Sequence, residues 1–305
     1  LELLFKLRYS VRYKGLDHIQ KVLQKSESGA LFLSNHPAIF LDGLMVTCPL
    51  LKAFDVRTLI IEYMFFSPIA APLLKWIRAV PVPNFGTGSN SVKLYRLHKA
   101  LEEVSRGLRS RENFLLYPAG MTKQTGREVI GGAVAVHDII KASPNCPIVM
   151  VRLVGLWGSR FSRAQNNGES VDWIVALKRS LLDLFKAGLF FLPRRKVEVT
   201  FEIAEGIPRE GSKAILNRWL EEWFNAPFEK KGLRGEPLHL VSYSPWKKEI
   251  PDIQAKEAES VAQVSPEIRE KVLEWLSQHL HVNISEISPK AHLIADLGLD
   301  SLALA

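Results

Sequence analysis

The residues best suited to chemistry are a histidine and an aspartate that lie close together in the chain, His36 and Asp42, with five residues between them. Imidazole has an unperturbed pKa of about 6.5 and can accept a proton near neutral pH. A carboxylate bonded to its other ring nitrogen fixes the tautomer and stabilises the imidazolium that forms. The pair predicts general-base catalysis. The alternative is a histidine that only ends a strand and caps a loop.

The two side chains can meet only if the chain bends between them. On an ideal helix, six residues turn through roughly 600°, which would point the two side chains to different sides. Pro37 favours a turn or a new helix start directly after His36. We therefore expect the end of a strand, a turn and the start of a helix to position this pair.

The elements around this pair alternate between apolar runs and helical periodicity. Predicted strands span residues 30–33, 79–82, 113–117, 147–154 and 197–203, and predicted helices span 92–107, 133–142 and 214–224. This alternation indicates an α/β fold with a mostly buried central sheet flanked by helices. From Gly235 the periodicity ends and prolines recur, which predicts a domain over 1–235, a linker over 236–263 and a further domain over 264–305.

The net charge of +8 is unevenly spread. Residues 256–305 carry eight acidic and four basic side chains, a net charge of −4, so the first 255 residues carry +12. A basic body suits an anionic membrane surface or an acidic partner. Because no nucleic-acid fold signature is present, we expect no nucleic-acid partner.

The cysteine count argues against disulfides and metal centres. Only Cys48 and Cys146 occur, without Cys-x-x-Cys spacing, and His279 and His281 lack further ligands at metal-site spacing. We expect no metal and a reducing, cytoplasmic setting. Because the chain begins at Leu1, we expect it to be a piece of a longer protein.

Two segments combine apolar, aromatic and basic residues, 1–22 and 173–192, while no apolar run is long enough to span a bilayer. Both segments predict amphipathic helices that lie on a membrane surface, peripheral to its cytoplasmic face. The alternative is that each helix packs its apolar face on the core.

Four blocks of sequence together resemble the glycerolipid acyltransferase superfamily, the lysophosphatidic-acid acyltransferase-like enzymes. They are Asn35-His36-Pro37 with Leu41-Asp42-Gly43, then residues 77–82, 116–123 and 147–151, in the order of that family. The resemblance implies that His36 and Asp42 are the catalytic residues. It also implies an acyl-thioester donor, from acyl carrier protein or coenzyme A, and a lysophospholipid acceptor.

The third block, residues 116–123, is where the resemblance implies substrate binding. It reads Leu-Tyr-Pro-Ala-Gly-Met-Thr-Lys, with alanine where the family has glutamate. We expect the turn through Pro118 and Gly120 to present backbone N–H groups to a developing oxyanion. Lys123 and Arg127 are the nearby cations expected to bind a phosphate, unless they are solvated loop charges.

The last residues of the chain resemble the attachment motif of acyl carrier proteins. The motif is Asp296-Leu-Gly-Leu-Asp-Ser301-Leu302, and Ser265 and Pro266 suit the start of a helix before it. The resemblance implies that Ser301 carries 4′-phosphopantetheine on a truncated helical carrier domain. A chance Asp-Ser-Leu is the alternative.

These observations predict an O-acyltransferase that moves a fatty acyl group to a lysophospholipid-like hydroxyl in phospholipid synthesis or remodelling. Two alternatives stay open. One is an acyltransferase for an acceptor that is not a phospholipid. The other is a non-catalytic module that docks carriers or membranes.

Overall fold

The computed structural model describes residues 8–68, 70–84, 90–166, 168–186, 194–241, 265–280 and 284. Seven strands form one sheet: β1 (Tyr9–Lys14), β2 (Leu31–Ser34), β3 (Val56–Ile61), β4 (Val80–Val82), β5 (Asn113–Leu116), β6 (Ile148–Val154) and β7 (Arg195–Ile203). The described helices are α1 (Leu16–Leu23), α2 (Leu41–Phe54), α3 (Glu62–Phe65), α4 (Ala71–Trp76), α5 (Ser91–Arg109), α6 (Ala135–Ala142), α7 (Trp173–Lys186), α8 (Lys213–Glu229) and α9 (Pro266–Leu280). The predicted α/β fold with a central sheet between helices is confirmed.

The strand order is β1-β7-β6-β2-β5-β3-β4. β6, β2, β5, β3 and β4 are mutually parallel, whereas β7 pairs antiparallel with β6 and parallel with β1. β2 and most of β6 are buried, as expected of apolar strands covered on both faces. β1 lies at an edge and is largely exposed.

Successive side chains of each strand point to opposite faces of the sheet, so the core has two layers, one on each face. Leu31 and Leu33 of β2 face helices α5, α6 and α8, while Phe32 faces α1, α2 and α7. The predicted helix over 214–224 buries one row of its apolar residues, Leu216, Leu220 and Phe224, in the first layer. The sheet is therefore held rigidly from both sides, and its ends can position loops.

Two sequence predictions need correction. In place of the amphipathic helix predicted over 1–22, the structure has a strand from Tyr9 to Lys14 followed by α1. Apolar and polar side chains alternate along this strand, as in a half-buried strand, and its backbone pairs with β7. Residues 1–7 lie outside the described part. Residues 236–241, predicted as linker, pack on the domain: Glu236 is buried, and the His239 N–H donates to the Trp157 carbonyl at 2.9 Å. The domain therefore extends further than predicted.

Within the described ranges, no helix is long and apolar enough to cross a bilayer. The predicted helix over 173–192 is present from Trp173 to Lys186, and residues 187–193 lie outside the described part. In α9, the Ser265 hydroxyl accepts from the Ile268 N–H at 3.4 Å, as predicted for a capping residue.

Candidate active site

The candidate site lies at the carboxyl ends of the central parallel strands. His36 follows β2, Tyr117 follows β5 and Gly155 follows β6, and these three strands are hydrogen-bonded neighbours. Parallel strands bring the loops after their carboxyl ends to one edge of the sheet, where α/β proteins commonly bind ligands. The sheet thus gathers segments that are far apart in sequence.

The bend between His36 and Asp42 is made at Phe40. Its φ is 67° and its ψ is −51°, and the Leu41 N–H donates to the Ile39 carbonyl at 2.7 Å, which defines a γ-turn of the rare, strained kind. Backbone strain of this kind persists only where the surroundings hold it, and it clusters at functional sites. Here the Phe40 ring stacks on Trp173 of α7, with centroids 5.1 Å apart.

The γ-turn starts α2 in an orientation that directs Asp42 back toward His36. Asp42 Oδ2 lies 2.5 Å from His36 Nδ1 and also accepts from the Ala38 N–H at 3.2 Å, while Oδ1 accepts from the Gly43 N–H at 2.6 Å. The Asp42 side chain is fully buried in the first turn of its helix, where the dipole favours a negative charge. These bonds fix the carboxylate.

The remaining ring nitrogen of His36, Nε2, has no hydrogen-bond partner among the described residues, and the side chain is 20% exposed. Burial lowers the pKa of His36, but the carboxylates of Asp42 and Glu128 outweigh burial and raise it above 6.5. Arg163 acts in the opposite direction. The ring is therefore a strengthened base whose accepting nitrogen is open to a ligand.

Tyr117, the first residue after β5, packs against the imidazole of His36. The ring centroids are 4.5 Å apart and the planes are tilted by 32°. The Tyr117 hydroxyl is buried without a hydrogen-bond partner among the described residues, and burial raises its pKa well above 10. Tyr117 therefore fixes the plane of the imidazole by packing and stays protonated.

A turn through Pro118 and Gly120 follows Tyr117, at the position where the sequence predicts an oxyanion-binding turn. Pro118 is buried, and Gly120 is exposed with a φ of 66°. The Gly120 N–H donates to the Tyr117 carbonyl at 2.9 Å, which closes the turn and engages that N–H within it. A β-carbon at Gly120 would meet open space, so its positive φ, and not crowding, is what favours glycine here.

The two predicted phosphate-binding cations are both engaged in ion pairs. Lys123 forms a buried pair with Glu236 and lies over the Trp157 ring, while its backbone N–H donates to the His36 carbonyl at 2.9 Å. Arg127 is exposed and pairs with Glu229 at 2.6 Å. Lys123 thus holds the His36 segment through its backbone N–H, and Arg127 lies on the surface.

Besides Glu236, sequence reasoning missed two charged residues that act on His36, Glu128 and Arg163. Glu128 accepts a long hydrogen bond from the His36 N–H, at 3.4 Å. Arg163 is half-buried, and its Nε donates to the Thr122 hydroxyl at 2.7 Å. Both are far from His36 in sequence, and no local pattern marks them.

The described residues contain no group of three or more His, Cys, Asp or Glu side chains placed to hold a metal ion. Ser301, the predicted attachment site for phosphopantetheine, lies outside the described residues.

No protein-family model and no curated protein matches this chain. Among solved structures, the chain is similar to the crystal structure of PlsC, the 1-acyl-sn-glycerophosphate (LPA) acyltransferase from Thermotoga maritima. The sequences are 14% identical, the TM-score is 0.46, and the similarity covers 75% of each chain. A likeness of this degree leaves the reaction to be inferred from the site itself.

Proposed function

We propose that this chain is an O-acyltransferase that moves a fatty acyl group from a thioester to the hydroxyl of a lysophospholipid-like acceptor. The observation that carries the proposal is the His36–Asp42 pair: the carboxylate is buried and fixed, and the opposite ring nitrogen is accessible. This arrangement suits a general base for an alcohol. The sequence resemblance to glycerolipid acyltransferases supports the choice of acyl transfer.

In the proposed step, Nε2 of His36 takes the proton of the acceptor hydroxyl as its oxygen attacks the thioester carbonyl. Asp42 stabilises the imidazolium that forms. The carbon–sulfur bond then breaks, and the imidazolium returns the proton to the leaving thiolate. No acyl-enzyme is required, and the donor is acyl carrier protein or acyl-coenzyme A.

The test is an acyl-transfer assay of the purified chain with both donors and a lysophospholipid. His36→Ala is expected to lose at least about a hundredfold in kcat, the usual contribution of a general base. His98→Ala is a matched control, because His98 is an exposed histidine of α5. Undiminished turnover by His36→Ala would contradict the proposal.

The class of acceptor depends on Arg163, because the other two nearby cations, Lys123 and Arg127, already form ion pairs with glutamates. Arg163 acts electrostatically on His36, and its guanidinium is held by Thr122 and by the Gly168 carbonyl at 3.3 Å. We propose that it binds an anionic headgroup beside the reacting hydroxyl. Arg163→Ala should raise KM for a phosphate-bearing acceptor far more than for a neutral monoacylglycerol.

The engaged state of Lys123 and Arg127 also favours a second candidate, transfer to an acceptor without a phosphate. The same assay separates the two candidates. A wild-type preference for the neutral acceptor, with no effect of Arg163→Ala on either KM, would support this second candidate.

We also propose that α7 contacts a membrane peripherally, at its cytoplasmic face. Its solvent face carries Leu182 and Phe185, which are 56% and 68% exposed, next to the exposed cations Lys178 and Arg179. Such a face suits the headgroup region of anionic lipids. Phe185→Glu should reduce flotation with anionic vesicles, whereas Ile215→Glu, an exposed position on α8, should not.

The carrier assignment leads to a separate proposal, that Ser301 takes a 4′-phosphopantetheine group. Incubation with coenzyme A and a phosphopantetheinyl transferase should add the mass of one such group to the chain. Ser301→Ala should stay unmodified, while Ser265→Ala, a serine before α9, should be modified as the wild type is.

A further inference from the structure

A second carboxyl group, that of Glu128, contacts the backbone of His36. Glu128 is only 3% exposed, and its Oε1 accepts from the backbone N–H of His36 at 3.4 Å. The other oxygen, Oε2, is buried and has no hydrogen-bond partner among the described residues. A buried carboxyl oxygen without a partner costs folding free energy, so Glu128 is a candidate for a functional role.

Glu128 is held in place from α8. The Asn225 side chain is buried; its Oδ1 accepts from the Glu128 N–H at 3.0 Å and its Nδ2 donates to the Glu128 carbonyl at 2.9 Å. Both backbone polar groups of Glu128 are thus bonded to one fixed amide. The carboxyl group is positioned from a rigid helix.

The charges that act on Glu128 are those of Lys123, His36 and Asp42. Burial raises the pKa of Glu128 to about 7, while the positive charges of Lys123 and of protonated His36 oppose that rise. The pKa of His36 is in turn raised by Glu128. Each of the two groups therefore shifts the pKa of the other: Glu128 raises that of His36, and protonated His36 lowers that of Glu128.

We propose that Glu128 is a positioning residue for the proposed acyl transfer. It holds the His36 backbone and supplies a second negative charge, besides that of Asp42, that stabilises the imidazole when the imidazole accepts the proton. This inference rests on the proposed function only in its catalytic consequence. Asp42 binds the imidazolium directly and Glu128 stabilises it through space, while the positive charge of Arg163 opposes both.

The experiment compares Glu128→Gln with Glu221→Gln. Glutamine keeps the size of the side chain and an oxygen acceptor for the His36 N–H but removes the charge. Glu221 is a matched control, because its carboxylate also holds backbone, the N–H groups of Ile130 and Gly131 at 2.6 and 3.0 Å, and it is not among the groups that act on the pKa of His36.

The first measurement is the titration of the His36 imidazole by NMR. Glu128→Gln should lower its pKa by about 0.5 or more, as expected when a nearby opposite charge is removed. Glu221→Gln should leave the pKa of His36 unchanged. The acid limb of the rate profile should move by the same amount, to lower pH. A folded Glu128→Gln chain with the wild-type His36 titration would overturn the inference.

A second measurement needs no variant of Glu128. In the wild-type chain, the carboxyl carbon of Glu128 should titrate near neutral pH, and the removal of the imidazole in His36→Ala should raise its pKa. A Glu128 carboxyl that titrates independently of His36 would overturn the inference. Because neither NMR readout requires a substrate, failure of acyl transfer is distinguishable from failure of this coupling.

Discussion

The ammonium of Lys123 and the carboxylate of Glu236 form an ion pair in which the side chains are only 2% and 0% exposed. Glu236 also accepts from the Gly155 N–H at 2.7 Å, at the end of β6. The backbone N–H of Lys123 donates to the carbonyl of His36. The pair therefore connects the segment after α8 to the loop that carries the base.

The first prediction is that Glu236→Gln strongly destabilises the domain. Removing one partner leaves a buried ammonium without its counter-charge, which typically costs about 3–5 kcal/mol. The free energy of unfolding, measured by urea denaturation, should fall by this order. Glu229→Gln is the control, because Glu229 pairs with Arg127 at the surface, where ion pairs contribute about 0–1 kcal/mol.

The double variant Lys123→Met with Glu236→Leu tests the reason for this loss. Apolar replacements of both partners remove the unpaired charge, so the double variant should recover much of the stability lost by Glu236→Gln. Equal stability of wild type and Glu236→Gln would contradict the buried pair.

The central strands could be predicted closely, because their burial on both faces leaves continuous apolar runs in the sequence. Predictions over 30–33 and 147–154 agree within one residue with β2 and β6. β1 was missed because an edge strand with one polar side carries basic residues that also suit a helix. β3 was missed because it follows α2 with only Asp55 between them.

The site could be predicted only where its residues are neighbours in sequence. The contact of His36 with Asp42 was expected from a bend at Pro37, but the strained turn is at Phe40, a residue type that does not signal positive φ. Glu128, Arg163 and Glu236 reach the site through the fold of distant segments. Their contacts depend on tertiary packing that no local pattern encodes.

The second prediction concerns the hydroxyl of Tyr117. Because this hydroxyl is buried without a partner among the described residues, its removal relieves a desolvation cost of about 1–3 kcal/mol. Tyr117→Phe should therefore unfold at the same or higher urea concentration and keep its kcat. Tyr117→Ala, which removes the ring from the imidazole, should lose both stability and activity. A large loss of kcat in Tyr117→Phe would instead assign the hydroxyl a role in the reaction.

The third prediction is that stability falls as pH rises through the neutral range. Burial raises the pKa of Glu128 from 4.5 to about 7, so between these values the folded chain binds a proton that the unfolded chain releases. The raised pKa of His36 acts in the same direction. Protonated His36 stabilises the folded chain in full below pH 6.5, and this stabilisation is lost as pH rises through the pKa that His36 has in the folded chain. A tenfold difference in proton affinity between the folded and unfolded chain corresponds to about 1.4 kcal/mol.

Urea denaturation at constant ionic strength, from about pH 5 to pH 8, measures this dependence. Glu128→Gln should flatten the slope, because it removes the proton bound by Glu128 and also lowers the pKa of His36. A wild-type free energy of unfolding that is constant or rises over this range would contradict the burial of an ionisable Glu128.

The last prediction separates the two roles of Asp42, orienting the ring and stabilising its charged form. Asn at this position keeps the shape, but its amide can donate to Nδ1 of His36 and so favours the tautomer that carries the proton on Nε2. In that tautomer Nε2 already carries a proton, so it cannot accept one from an alcohol. Asp42→Asn should therefore lower kcat by on the order of 10²–10⁴ with little change in KM.

The control for this prediction is Asp55→Asn, which changes an aspartate whose side chain is 80% exposed and pairs with Arg78 at the surface. It should retain wild-type kcat. The imidazole of Asp42→Asn should also titrate at lower pH, because the carboxylate that raises the pKa of His36 is gone. If kcat fell while the pKa of His36 stayed at its wild-type value, Asp42 would act on the reaction by some route other than the imidazole, and the base assigned to His36 would have to be sought elsewhere in the site.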